Sequence, residues 1–127
     1  MSSNPNADST AAPFGVSYFG VLEYEDSSDV IEFSRFILRT EAIAFSAVST
    51  WDSWGRWDIS AIAENHGATY KTVNATCQQG KGPPQRCYLE FTLLKAEGAN
   101  LYVEGLWSES GNEYKFAGNL TKRHVGL

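Results

Sequence analysis

Ala42-Ile-Ala-Phe-Ser-Ala-Val-Ser-Thr-Trp51-Asp-Ser-Trp-Gly-Arg-Trp57-Asp-Ile-Ser-Ala-Ile-Ala-Glu64 repeats its apolar residues at every second position on both sides of a short break. A period of two belongs to a strand, where successive side chains point to opposite faces. Gly55 supplies the left-handed backbone that a three-residue hairpin loop needs, so Ser53-Trp54-Gly55 is read as that loop. Asp52 then faces Arg56 and Trp51 faces Trp57. Farther along, Ser49 meets Ile59, Ala47 meets Ala61 and Phe45 meets Ala63. One face carries Ile43, Phe45, Ala47, Ser49, Trp51, Trp57, Ile59, Ala61 and Ala63, and is assigned to the inside.

The same test works outward along the chain, because a slip of one residue would reverse every side chain. A two-residue Ser110-Gly111 turn sets Trp107 beside Tyr114, Gly105 beside Phe116 and Val103 beside Gly118. A Ser27-Ser28 turn sets Tyr24, Leu22, Gly20 and Tyr18 opposite Ile31, Phe33, Arg35 and Ile37, at the expense of an Asp26–Asp29 repulsion. Thr40 turns the second strand into the third with Ile37 near Ile43, and Glu97-Gly98-Ala99 joins Leu93 to Val103. Around Ala68–Cys77 the face is ambiguous, since His66-Gly67 and Asn65-His66-Gly67 turns give opposite answers.

About eight such strands, joined by hairpins with no helix and no long crossover, predict an all-β antiparallel up-and-down meander. Pairing the last strand with the first removes both exposed edges and closes a barrel. A β-sandwich is the alternative, but it ordinarily needs longer connections than this chain has outside residues 78–86. With 127 residues the chain suits one domain, read as a disordered tail over 1–13 and a barrel over 14–127.

The net charge is −5, and the ten Lys and Arg are scattered, which argues against a nucleic-acid partner. The N-terminal segment has neither the basic start nor the apolar stretch of a signal peptide, and no segment has the length of a membrane span. The expectation is a cytoplasmic protein, or a secreted one if a leader has been removed. Cys77 and Cys87 stand ten positions apart, a separation that fits no metal knuckle and no Cys-x-x-Cys pair. They are read as two free thiols, with a disulfide across a hairpin mouth as the alternative. Asn74-Ala-Thr76 and Asn119-Leu-Thr121 match the glycosylation acceptor pattern, which matters only in a secreted protein.

Small residues in mid-strand beside large aromatics suit a pocket with aromatic walls, and equally a solid tapered barrel. On the first reading, Tyr18, Tyr24, Phe33, Phe45, Trp51, Trp57, Trp107, Tyr114 and Phe116 contact a small apolar ligand. Arg35, on the face of Ile31, Phe33 and Ile37, would bind an anionic group of that ligand; at the rim, or turned outward by a bulge, it would meet water instead. Trp54, at the turn, is placed to cap a pocket or touch a partner. The opposite face sets Phe19, Val21, Phe36 and Leu38 in an apolar patch with Val30 and Val48, which predicts a homodimer, a client protein or cover from the Ala11–Gly15 segment. His66 and His124 lie far apart with no nucleophile beside them, so no catalytic residue, metal or cofactor is assigned.

In strand number and meander order, over Val16 to Arg123, the chain resembles the calycin-type barrels: lipocalins, fatty-acid-binding proteins and avidins. The resemblance implies a small, largely apolar molecule held in the barrel, with no catalytic residue carried over. The Gly-x-Trp of a lipocalin's first strand is missing. Gly105-Leu-Trp107 has that form on the seventh predicted strand, and a C-terminal helix, a helical lid and a biotin-binding pattern are all absent. A filled barrel serving as a homodimeric interaction module is the rival reading. A barrel enzyme of the cyclase, isomerase or decarboxylase kind, using Arg35 with Tyr18 or Tyr24, is the third.

Overall fold

The computed structural model describes residues 15–51 and 55–123. Ten strands account for nearly all of them: β1 (Val16–Tyr24), β2 (Val30–Leu38), β3 (Ala42–Trp51), β4 (Gly55–Asn65), β5 (Tyr70–Thr72), β6 (Thr76–Gln78), β7 (Gln85–Arg86), β8 (Tyr88–Glu97), β9 (Asn100–Glu109) and β10 (Asn112–Lys122). Antiparallel pairing runs β1-β2-β3-β4-β5-β8-β9-β10 and returns to β1, closing an eight-stranded up-and-down barrel. The two remaining strands hang on β4: β6 pairs with it at Asp58 and Ile59, and β7 pairs with β6. This closure excludes the sandwich and is consistent with the calycin-type architecture. No helix among the described residues is long and apolar enough to cross a membrane.

The expected inner faces mostly hold, although two hairpins are shifted. The β9–β10 hairpin has the predicted register, with Ser110 and Gly111 both at positive φ (51° and 81°) and Trp107, Gly105 and Val103 opposite Tyr114, Phe116 and Gly118. Between β3 and β4, Trp51 faces Gly55 instead of Trp57, and Ser49 faces Trp57. Between β1 and β2, Leu22 faces Ile31 instead of Phe33. Each shift is two residues, so the side chains keep their face. Asp29 does not stand opposite Asp26; its carboxylate accepts hydrogen bonds from the hydroxyls of Ser27 (3.1 Å) and Thr50 (3.3 Å). The ambiguous fifth strand is two short ones. Asn65 pairs with Tyr70, and the line breaks at 73–75, where Asn74 adopts a φ of 54°.

Two bulges change the face, and both lie in long strands. An extra residue at Ser34-Arg35 shifts β2 against both β1 and β3, leaving Ser34 and Arg35 outside and turning Phe36 inward, fully buried. The Ser34 carbonyl accepts a bond from Arg123 Nη2 (3.1 Å), whose guanidinium lies 4.6 Å over the Phe19 ring. The second bulge, at Thr92 in β8, puts Leu93 outside and Leu94 inside, paired with Val103. β2 and β8 stand across the barrel from each other, separated by three strands on either side.

From those two strands the centre is filled. Phe33 and Phe36 come from β2 and Phe91 from β8, with Phe36–Phe91 and Phe45–Phe91 centroids both at 5.3 Å in edge-to-face contact. Phe116 closes the group, 6.2 Å from Phe91 and 6.3 Å from Phe33. The small residues that suggested a void make room for these neighbours. A Cβ on Gly105 would stand 2.6 Å from the Glu90 carbonyl oxygen and 2.8 Å from the Phe116 ring.

Candidate functional site

At one end of the barrel the β1–β2 and β9–β10 turns, with the end of β3 at Trp51 and the start of β4 at Gly55, surround a mouth that β6 and β7 extend on the fourth side. A cavity of about 560 Å³ opens there, lined by Asp29, Trp51, Trp57, Cys77, Gln85, Arg86, Glu109, Ser110, Asn112 and Tyr114. Its size lies within the range of small-molecule sites.

Aromatic stacking builds its floor. Trp51, at the end of β3, lies 4.5 Å from Tyr24, 5.6 Å from Trp107 and 5.0 Å from Tyr114, centroid to centroid. Trp107 is fully buried beneath, and its indole N–H donates to Glu109 Oε1 at 2.7 Å, which fixes that carboxylate at the mouth. The positive-φ Ser110-Gly111 turn brings Glu109 opposite Asn112, so both lining residues come from one tight hairpin. Tyr24 lies one layer deeper: its hydroxyl and Ser49 Oγ are 2.8 Å apart, satisfying both buried polar groups. Burial pushes the Tyr24 phenol far above its usual value, and the negative charges of Asp29 and Glu109 push the same way.

The outer wall comes from β6 and β7. Cys77 and Cys87 are free, buried thiols joined by a hydrogen bond. That bond draws Cys77 towards the thiolate, while the bond and burial hold Cys87 protonated. Arg86 is exposed and donates to Asn74 Oδ1 at 3.4 Å. Among the described residues no group of three or more His, Cys, Asp or Glu side chains is placed to hold a metal ion.

Of the residues anticipated as ligand contacts, Trp51, Trp57 and Tyr114 line the cavity. Tyr18, Tyr24, Phe33, Phe45, Trp107 and Phe116 are buried in the packed core instead. Arg35 is on the outer surface, because the β2 bulge reverses the face from that point. The same reversal removes Phe36 from the expected outer patch, and Leu38 packs half-buried against the core. Phe19 and Val21 do remain exposed, with Val30 and Val48 half-buried. Trp54, His124 and the Ala11–Phe14 stretch lie outside the described residues; His66 is exposed.

Sequence reading missed Asp29, Cys77, Gln85, Arg86, Glu109, Ser110 and Asn112. Glu109, Ser110 and Asn112 were within reach of the correctly read Ser110-Gly111 turn, had the residues flanking it been followed to the mouth. Nothing in the period of the chain indicated that β6 and β7 fold back over the same end. No protein-family model matches the chain, and no curated protein is detectably similar to it.

Proposed function

We propose that this protein binds a small molecule at the mouth of its barrel, as the calycin-type resemblance implies, but above the packed centre. One observation carries the reading: a cavity of about 560 Å³ in which the rings of Trp51, Trp57 and Tyr114 meet the polar groups of Asp29, Gln85, Arg86, Glu109 and Asn112. Aromatic walls with a few convergent polar groups provide contact area and orientation together. The apolar part of the ligand lies against the indoles. An anionic group anchored by Arg35 is no longer part of the reading, since Arg35 faces solvent.

The enzyme reading has less support. Tyr18 and Tyr24, its candidate proton donors, are both buried in the core and line no part of the cavity, and Tyr24 is bound to Ser49 and held neutral by burial. The homodimer reading retains Phe19 and Val21 as an outer patch but loses Phe36 and Leu38 from it. A filled centre suits either a scaffold or a mouth-binding protein.

Ligand-observed NMR with a set of aromatic and cyclic fragments tests the proposal on the wild type and on Trp57→Ala. Several fragments are expected to bind the wild type, quench its tryptophan fluorescence and lose affinity for the variant. Fragments that bind both proteins equally would move the site elsewhere. No binding at all would overturn the proposal.

A further inference from the structure

The charge around the cavity is not balanced. Among its described lining residues, two acids, Asp29 and Glu109, stand against one base, Arg86, in a chain whose net charge is −5. Position sharpens the difference. Asp29 is only 8% exposed, its carboxylate drawn in by the Ser27 and Thr50 hydroxyls. Glu109 is held by an indole N–H from the fully buried Trp107. Arg86 is exposed, as Glu109 is, and its guanidinium is engaged by Asn74 Oδ1 at 3.4 Å.

Aromatic rings share that space: Trp51 and Tyr114, 5.0 Å apart and inclined at 56°, and Trp57 all line it. An aromatic face attracts a cation through its quadrupole, most strongly for indole, and a nearby carboxylate adds a full charge of the same preference. The upward push that Asp29 and Glu109 exert on the Tyr24 phenol is the same negative field, felt one layer below.

We propose that the mouth cavity selects a small organic cation, an alkylated ammonium on a compact apolar frame, with Trp51, Trp57 and Tyr114 as its cage and Glu109 and Asp29 as its counter-charge. This rests on the reading of the cavity as a ligand site and deepens it by naming the ligand class. Among ammonium groups, a quaternary one fits this cage best, since it offers apolar methyls to the rings while keeping its charge. A fatty acid or another anion would set its carboxylate against two like charges.

Three isosteric probes separate charge from shape: choline, the neutral 3,3-dimethylbutan-1-ol and the anion 3,3-dimethylbutanoate. Titration calorimetry and tryptophan quenching on the full chain are expected to show saturable choline binding. The neutral probe should bind about tenfold more weakly and the anion not measurably, as loss of the cation's attraction to rings and carboxylates requires. Glu109→Gln keeps an oxygen for the Trp107 indole, so the fold should be retained, while choline affinity should fall by about tenfold. Near-UV circular dichroism of that variant checks the aromatic packing, and its affinity for the neutral probe should fall by less than its affinity for choline. Equal or tighter binding of the neutral or anionic probe would overturn the cation assignment and leave the site standing. If choline, the other two probes and the fragment set all failed to bind, the site reading would fall with it.

Discussion

At the scale of single residues, Gly105 and Tyr24 show how little freedom the interior leaves. Gly105 is opposite Phe91 on β8 and Phe116 on β10, and the absence of a side chain lets the Phe116 ring lie against the β9 backbone. Gly105→Ala places a methyl 2.6 Å from a ladder carbonyl, which the backbone must move to relieve. The expected destabilisation is about 1–3 kcal/mol, as for other overpacked cores, read from the urea midpoint. An unchanged midpoint would mean that the Glu90 backbone and the Phe116 ring both yield freely. For Tyr24, the folded chain keeps a phenolic proton that the unfolded chain releases above the ordinary tyrosine value of 10.0. Its contribution to stability is therefore complete below pH 10 and declines as pH rises beyond it. Tyr18 and Tyr88, also raised by burial, act in the same direction. In urea unfolding at pH 8 to 11, the alkaline loss should be shallower for Tyr24→Phe than for wild type. Parallel curves would show that the phenol ionises within the fold.

Elements come next, and β6 with β7 is the pair whose chemistry is testable. Cys77 lines the cavity and Cys87 is not among its lining residues; their hydrogen bond draws Cys77 towards the thiolate and holds Cys87 protonated. The thiolate is the nucleophile, so iodoacetamide at pH 8 should modify the native protein slowly and at Cys77 first. Peptide mapping that found Cys87 modified first would overturn that order. Among the strands, legibility depended on parity. The β1–β2 and β3–β4 hairpins were displaced by two residues from the simplest turn assignments, yet Leu22, Ile31, Ser49 and Ile59 still face inward, because a two-residue slip restores the face. Ser34-Arg35 and Thr92 are one-residue insertions, so Phe36, Leu93 and Arg35 all went to the wrong side.

For the whole molecule, the eight-strand ring has a solid middle and a concave end. Phe91 joins the two halves of that middle, touching Phe33, Phe36, Phe45 and Phe116. Phe91→Ala should cost about 3–5 kcal/mol, measured by chemical denaturation, because the ring's contacts span strands that cannot easily collapse together. A loss below 1 kcal/mol would indicate a looser centre than these distances imply. The folded fraction of that variant should retain whatever binds at the mouth, since Phe91 is not among the cavity's lining residues.

What the amino-acid sequence determined alone is the all-β class, the meander order, the β9–β10 register and the closure of the last strand on the first. The class, order and register follow from a period of two and from local turn chemistry, both contained in stretches of about ten residues, and closure follows from the cost of leaving two sheet edges unpaired. The tertiary structure decided which small residues make room for neighbours and which end stays open. The β2 bulge depends on Phe91 across the barrel to receive Phe36 and on Arg123, 89 residues further on, to bond the Ser34 carbonyl. Likewise the mouth gathers Asp29, Cys77, Arg86 and Glu109 from three hairpins that meet only when the ring closes. A local pattern sets which way a side chain points; what it meets there is a property of the closed barrel.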